Sequence, residues 1–155
     1  MKSSFCALVL IAYFVLPSAL SRAEEFSIPE SSQLWTKVYD PPYRVPTEIP
    51  KGSDLRKSLF DQLRPKIAAL VQGKKILFNG TLKAYRNWAF FNGETVNTAG
   101  HPIGLPPNDN SDTAALWLRT RDGWRLVDYR GGHSDVFYTV WPAQYGVSKK
   151  LLGFE

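Results

Sequence analysis

The residues best suited to chemistry lie close together, in positions 130–135 of the 155-residue chain. Arg130 precedes two glycines, and such a run can form a nest of backbone amides and a guanidinium that binds a carboxylate or a phosphate. His133, Ser134 and Asp135 follow, which are the residue types of a hydrolase triad. A triad must converge across a fold, whereas consecutive side chains diverge. We therefore predict a ligand-binding site at Arg130, His133 and Asp135, and no catalytic residue.

The same segment also has a structural interpretation. Two glycines between a strand and a helix often serve backbone conformation alone. Asp135 precedes a predicted helix, where unpaired amides and the positive end of the helix dipole favour a carboxylate. On this interpretation Asp135 is a helix cap, and asparagine should replace it with little loss because asparagine caps nearly as well.

Metal and cofactor sites are not predicted. The only cysteine, Cys6, lies in the N-terminal leader, and the only histidines, His101 and His133, have no metal-ligand spacing. Residues 108–112 are rich in oxygen ligands but lack the glycine and the bidentate glutamate of a calcium loop.

Four arginines occur on one predicted hairpin and its exit, together with Trp117 and Trp124; they are Arg119, Arg121, Arg125 and Arg130. A basic, aromatic strip of this kind can bind a polyanion, although charged outer faces are also the rule on antiparallel sheets. The net charge of the chain is +5. Because Lys2 and Arg22 lie in the leader, 17 basic and 14 acidic residues follow it, and so mild a charge does not predict a nucleic-acid partner.

The leader is typical of a secretory signal peptide. Lys2 precedes twelve consecutive apolar residues, 5–16, and Ser21 and Ala23 supply the small residues of a cleavage site. Twelve residues of helix span about 18 Å, which is less than the ~30 Å of a bilayer core. We therefore predict a signal peptide over residues 1–23, cleavage before Glu24, and a periplasmic or secreted protein with no stable membrane span; the alternative is an uncleaved anchor.

The chain after the leader divides into an arm and a single domain. Residues 24–52 contain five prolines and predict an extended arm or a partly disordered tail. Residues 53–72 predict a helix that begins at the N-cap Ser53 and that Pro65 kinks or splits. Its apolar stripe recurs every four residues, with Arg56, Lys57, Asp61 and Gln62 off the stripe; the stripe consists of Leu55, Leu59, Leu63, Ile67 and Val71.

Two hairpins follow the helix. Residues 76–84 and 88–91 alternate in polarity around a turn at Arg86-Asn87, and residues 113–119 and 124–129 flank a second turn at 121–123. Residues 97–112 form the loop between the hairpins, and loops of that length tend to be functional or mobile. Residues 136–140 have strand composition, but we favour a short helix over 135–145. The fold class is therefore α+β: one amphipathic helix on a roughly four-stranded antiparallel sheet, within a domain over residues 53–155.

Short motifs in this order resemble those of small exported bacterial proteins of unknown function. The motifs are Arg64-Pro65, Asn87-Trp88-Ala89-Phe90, Gly123-Trp124-Arg125-Leu126-Val127, Ser134-Asp135-Val136 and Trp141-Pro142-Ala143-Gln144-Tyr145-Gly146. The resemblance covers residues 53–155. It implies export and a helix-plus-sheet fold, and it supplies no catalytic residue.

The favoured function is a non-enzymatic exported domain that binds a partner protein, a peptide or a small anionic ligand through its sheet and the 97–112 loop. The alternatives are a small exported enzyme and a structural component of the cell envelope. An enzyme requires titratable groups that converge in a cleft, whereas a binding domain requires only a suitable surface.

Overall fold

A five-stranded antiparallel sheet forms the centre of the structure, a computed structural model that describes residues 42–133 and 136–154. The strands lie in chain order and are β1 (Thr47–Glu48), β2 (Leu77–Tyr85), β3 (Trp88–Val96), β4 (Asp112–Thr120) and β5 (Gly123–Gly131). The predicted α+β class is confirmed, with five strands rather than four. The additional strand, β1, has two residues between prolines, too few to show an alternating pattern.

One long helix, α1 (Asp54–Leu70), lies on one face of the sheet. It begins as predicted, because the Ser53 hydroxyl accepts a hydrogen bond from the Arg56 amide at 3.2 Å. The helix is continuous through Pro65 and is not split there. Pro65 and Asp61, four residues before it, are both exposed, so the carbonyl that loses its helical partner can be hydrated by solvent.

The core between α1 and the sheet follows the predicted stripe. Leu59, Leu63 and Ile67 are fully buried, and they pack in one cluster with Phe91 of β3 and Trp117 of β4. On β3 and β4 the alternate side chains point to the opposite face of the sheet, as strand geometry requires. Both faces of the central strands are therefore buried.

The C-terminal segment covers the second face. It comprises a 3-10 helix (Phe137–Val140), α2 (Trp141–Tyr145) and α3 (Lys149–Leu152). The helix predicted over 135–145 thus forms as two consecutive helical pieces from Phe137 onwards, while its predicted start at Asp135 lies outside the described residues. Pro142 lies in the first turn of α2, where a missing amide proton costs nothing, and it initiates the helix instead of interrupting it.

The apolar stripe of the helix and the strand positions predict six buried residues, and five of them are buried. Leu59, Leu63, Trp88, Phe90 and Leu116 are all at most 9% exposed. The sixth, Leu126, is only partly buried because β5 is an edge strand. The 97–112 loop adds a core residue that we did not predict, the fully buried Leu105, which pairs with Asn110 in an isolated bridge. Within the described part of the chain, no helix combines the length and apolar character needed to cross a membrane.

Candidate functional site

The predicted site residues lie at the C-terminal end of β5 and just beyond it. Arg130 is opposite Ala114 of β4, and its side chain is 51% exposed. Its Nε lies 4.0 Å from Oδ1 of Asp128, which is on the same strand. His133 is partly buried and contacts the ring of Phe137, with 5.6 Å between ring centroids. Asp135 lies outside the described residues, so the proposed cap and the proposed convergence of all three side chains stay predictions.

Asp128 is the centre of the polar contacts here, and the sequence analysis did not single it out. Oδ1 accepts from the backbone amide of Tyr129 at 2.7 Å. Oδ2 accepts from Nε1 of the buried Trp141 at 2.9 Å and from the Tyr145 hydroxyl at 3.1 Å. The carboxylate of a β-strand residue thus holds α2 against the sheet through charge-assisted hydrogen bonds.

A local irregularity of the sheet brings Asp128 to this face. Leu116 pairs with Asp128, but the next residue of β4, Trp117, pairs with Leu126. Val127 is left without an opposite residue, as in a β-bulge. Leu126 and Tyr129 pack toward α1, whereas Val127 packs in the cluster on the C-terminal side, where Asp128 also forms its bonds.

The Tyr145 hydroxyl is held in its protonated form. Burial, the charge of Asp128 and the hydrogen bond to that carboxylate raise the pKa of Tyr145 to about 12. The same oxygen accepts a hydrogen bond from Nε2 of Gln144 at 2.8 Å. At neutral pH the phenol is therefore a hydrogen-bond donor to Asp128, and it is poorly suited to act as a base.

The carboxylate of Asp128 is already hydrogen-bonded, whereas the guanidinium of Arg130 is accessible to a ligand. Asp128 already accepts three hydrogen bonds and has a side chain only 15% exposed. Arg130 approaches it only at 4.0 Å and keeps half of its side-chain surface in solvent. A guanidinium in this setting can bind an incoming carboxylate or phosphate without breaking the contacts of Asp128.

The glycines after Arg130 are required by close packing. Gly132 has a φ of +76°, and a Cβ there would lie 2.3 Å from the carbonyl oxygens of Leu105 and Pro106. A Cβ on Gly131 would lie 2.7 Å from Cδ1 of Leu105. The glycine pair therefore allows the 97–112 loop to pack against the end of β5, which is the structural interpretation given above for two adjacent glycines.

The outer edge of β5 is bonded to a side chain of α1. Nε2 of Gln62 donates to the Trp124 carbonyl at 3.0 Å, and Oε1 of Gln62 accepts from the Leu126 amide at 2.9 Å. The spacing along the helix places Gln62 only off the apolar stripe. Its role depends on how α1 crosses the sheet, which spacing along the helix does not reveal.

The described candidate residues of the 97–112 loop do not come together in one site. His101 is an exposed residue of the 97–112 loop. In the loop itself, Asn110 and Asp112 bond to one another, with Asn110 Nδ2 to Asp112 Oδ2 at 3.0 Å and the Asp112 amide to Asn110 Oδ1 at 2.9 Å. Over residues 42–133 and 136–154 there is no group of three or more His, Cys, Asp or Glu side chains that could hold a metal ion.

Comparisons of this chain with protein-family models, with curated proteins and with solved structures find no match. The resemblance to small exported bacterial proteins, which depends on short motifs, stays a prediction.

Proposed function

We propose that this protein is an exported, non-enzymatic binding domain for an anionic ligand, which Arg130 contacts directly. The observation that carries the proposal is the position of Arg130, half exposed beside a carboxylate that already accepts three hydrogen bonds. Export depends on the predicted leader over residues 1–23.

The surroundings of Arg130 favour binding over catalysis. Tyr145, the nearest hydroxyl bonded to Asp128, has a raised pKa and stays neutral. The carboxylate of Asp128 serves to hold Trp141 and Tyr145 in place. These contacts fix the surface beside Arg130, and a preorganised surface loses little conformational freedom when a ligand arrives.

His133 extends the same surface toward the 97–112 loop. Its backbone carbonyl accepts a hydrogen bond from Nδ2 of Asn110 at 3.5 Å, and its ring contacts Phe137. His133 is thus attached to the loop through its backbone carbonyl and to the C-terminal segment through its ring. We infer that a ligand bound at Arg130 also contacts His133.

Binding of a labelled hexaglutamate peptide tests the proposal. We expect Arg130→Gln to weaken binding about three- to tenfold, the loss expected for one charge-assisted contact at a half-exposed site. Fluorescence anisotropy measures the affinity. Lys83→Gln is the matched control, because Lys83 is an exposed cation on β2, three strands away from β5. Equal losses in the two variants would show attraction by net charge only, and absence of binding to the wild-type protein would overturn the proposal.

A further inference from the structure

Strand β5 has an edge that no other described strand covers. The sheet order ends at β5, and eight of its nine residues, all except the bulged Val127, pair on one side with β4. Exposed edges of this kind can pair with an extended segment of another protein, which then adds a strand to the sheet.

The side chain of Gln62 bonds to this edge as a residue of a neighbouring strand would. A neighbouring strand would donate an N–H to the Trp124 carbonyl and accept a hydrogen bond from the Leu126 amide. The primary amide of Gln62 does both, at 3.0 Å and 2.9 Å. Trp124 and Leu126 are two residues apart, so their backbone groups point to the same side of the strand. One side chain therefore replaces the N–H and the C=O that one residue of an absent strand would direct at this edge.

The charge around this edge favours an acidic partner. Arg125 and Arg130 are exposed residues of β5, and Lys66 is an exposed residue one helical turn after Gln62. Of the nearby acids, Asp128 is occupied by its own hydrogen bonds. Pairing with β5 of a second copy would bring arginines together across the new edge, and like charges in that position are destabilising.

We propose that the anionic ligand is an extended acidic segment of a partner protein, which pairs with β5 from Gly123 to Val127 and displaces the amide of Gln62. This inference rests on the proposed function, since it names the ligand class of the same surface. Pairing ends near Tyr129, whose amide donates to Asp128. Arg130 then contacts an acidic side chain beyond the paired residues.

The probe is a labelled ten-residue peptide of alternating glutamate and threonine. Two derivatives carry N-methyl groups, one on every glutamate nitrogen and the other on every threonine nitrogen. In an extended strand these two sets of amides lie on opposite edges. The arginines determine which face carries the glutamates, and a parallel direction, in which one residue bonds to both Trp124 and Leu126 as Gln62 does, determines which set faces β5. We therefore expect one derivative to bind at least about tenfold more weakly, and the other to bind within about twofold of the parent peptide.

The methylated peptides distinguish this inference from the proposed function. If both derivatives bind as the parent does, pairing of β5 with a parallel segment is wrong, while anion binding at Arg130 stands. If the parent peptide does not bind but hexaglutamate does, strand pairing is wrong, and anion binding at Arg130 again stands. If neither peptide binds, both proposals are overturned.

Variants of Gln62 test the displacement step. Gln62→Met keeps the length of the side chain and removes the amide, and Gln62→Ala removes both. We expect each variant to bind the parent peptide about three- to tenfold more tightly, because the peptide no longer competes with two side-chain hydrogen bonds. Circular dichroism checks that the helix is intact. If Gln62→Ala does not fold, the comparison is made with Gln62→Met alone. Unchanged or weaker binding by Gln62→Met would show that Gln62 does not hold the place of a partner strand.

Discussion

Asp128 and Tyr145 show how two residues far apart in the chain support each other. Asp128 holds Tyr145 by a hydrogen bond of 3.1 Å and Trp141 by one of 2.9 Å. Without the carboxylate, the Nε1 proton of the buried Trp141 would lose its acceptor, and an unsatisfied buried donor is costly. The pair therefore fixes the C-terminal segment beside the surface of Arg130.

Tyr145 should make the free energy of unfolding depend on pH in the alkaline range. Its pKa in the folded protein is about 12, against 10.0 for an unperturbed tyrosine, so the folded state holds this proton more tightly than the unfolded state. The stabilisation is complete below pH 10 and is lost as the pH rises from 10 toward 12. We expect the free energy of unfolding to fall over this range less steeply in Tyr145→Phe than in the wild type. Urea unfolding at several pH values measures both slopes, and equal slopes would contradict the assignment.

The sequence indicated the accessible parts of the site and not the buried ones. Arg130 and His133 stand out by residue type beside two glycines. Asp128 did not, because a single charged residue within a strand is typical of a solvent-facing position. Its partners, Trp141 and Tyr145, come from a separate segment, and the bulge at Val127 decides which face Asp128 occupies. Neither fact can be deduced from local spacing.

Helix α1 has an apolar stripe that the sequence predicts and a buried arginine that it does not predict. Its apolar stripe was predicted from the four-residue spacing. Arg56, which the spacing placed off the stripe, is only 5% exposed. Its guanidinium donates to the carbonyls of Ile49 at 3.2 Å and Gly80 at 2.8 Å and lies over the ring of Phe60. Burial lowers the pKa of Arg56, yet the group stays charged at neutral pH and ties the end of the arm to the sheet.

Leu63 tests the predicted face of α1. The residue is fully buried between the helix and the sheet. Leu63→Ala should lower the free energy of unfolding by about 2–5 kcal/mol through lost transfer energy and a residual cavity. Leu70→Ala, at a position 40% exposed on the same helix, should change it by less than about 0.5 kcal/mol. Denaturant unfolding of both variants measures the difference, and similar losses would mean that the packing face is wrong.

The strands were the most predictable elements. The turns of both long hairpins occur where the turn residues placed them, and Arg86 adopts the left-handed conformation, with φ of +55°, at the first turn. Strand β3 continues to Val96, five residues beyond its predicted end at position 91. Strand β1 was not predicted, because two residues carry no periodicity. It forms where the Ile49 amide bonds to the Leu82 carbonyl at 2.8 Å and Ile49 itself becomes buried.

At the scale of the whole molecule, the sheet lies between two dissimilar layers. The long helix α1 covers one face, and the C-terminal segment covers the other. In the C-terminal layer, α3 packs over β2 and β3. Both layers are needed to bury the alternating side chains of the central strands, because each face of β3 and β4 carries large apolar residues.

Removal of residues 147–155 tests the second layer. The deletion takes away Val147, Leu151 and Leu152, which are at most 6% exposed. Each buried side chain contributes about 1.5–3 kcal/mol, and a domain of this size has a total of only ~5–15 kcal/mol. We expect a protein that is unfolded or melts far below the wild type, and that binds a hydrophobic dye. As the control, Phe154→Ala, at a position 40% exposed, should cost no more than about 1 kcal/mol. A truncated protein with wild-type melting would show that the layer is dispensable.

Among the described residues, the two most deeply buried tryptophans lie in different layers, and each can report on its own layer by fluorescence. Trp117 is 0% exposed on the α1 side, and its Nε1 has no hydrogen-bond partner among the described residues. Trp141 is 1% exposed on the C-terminal side, where its Nε1 donates to a carboxylate. The two indoles therefore sense different electrostatic surroundings within one protein. Fluorescence spectra of the wild type, Trp117→Phe and Trp141→Phe, recorded during unfolding, would resolve whether the helix and the C-terminal segment leave the sheet together or in sequence.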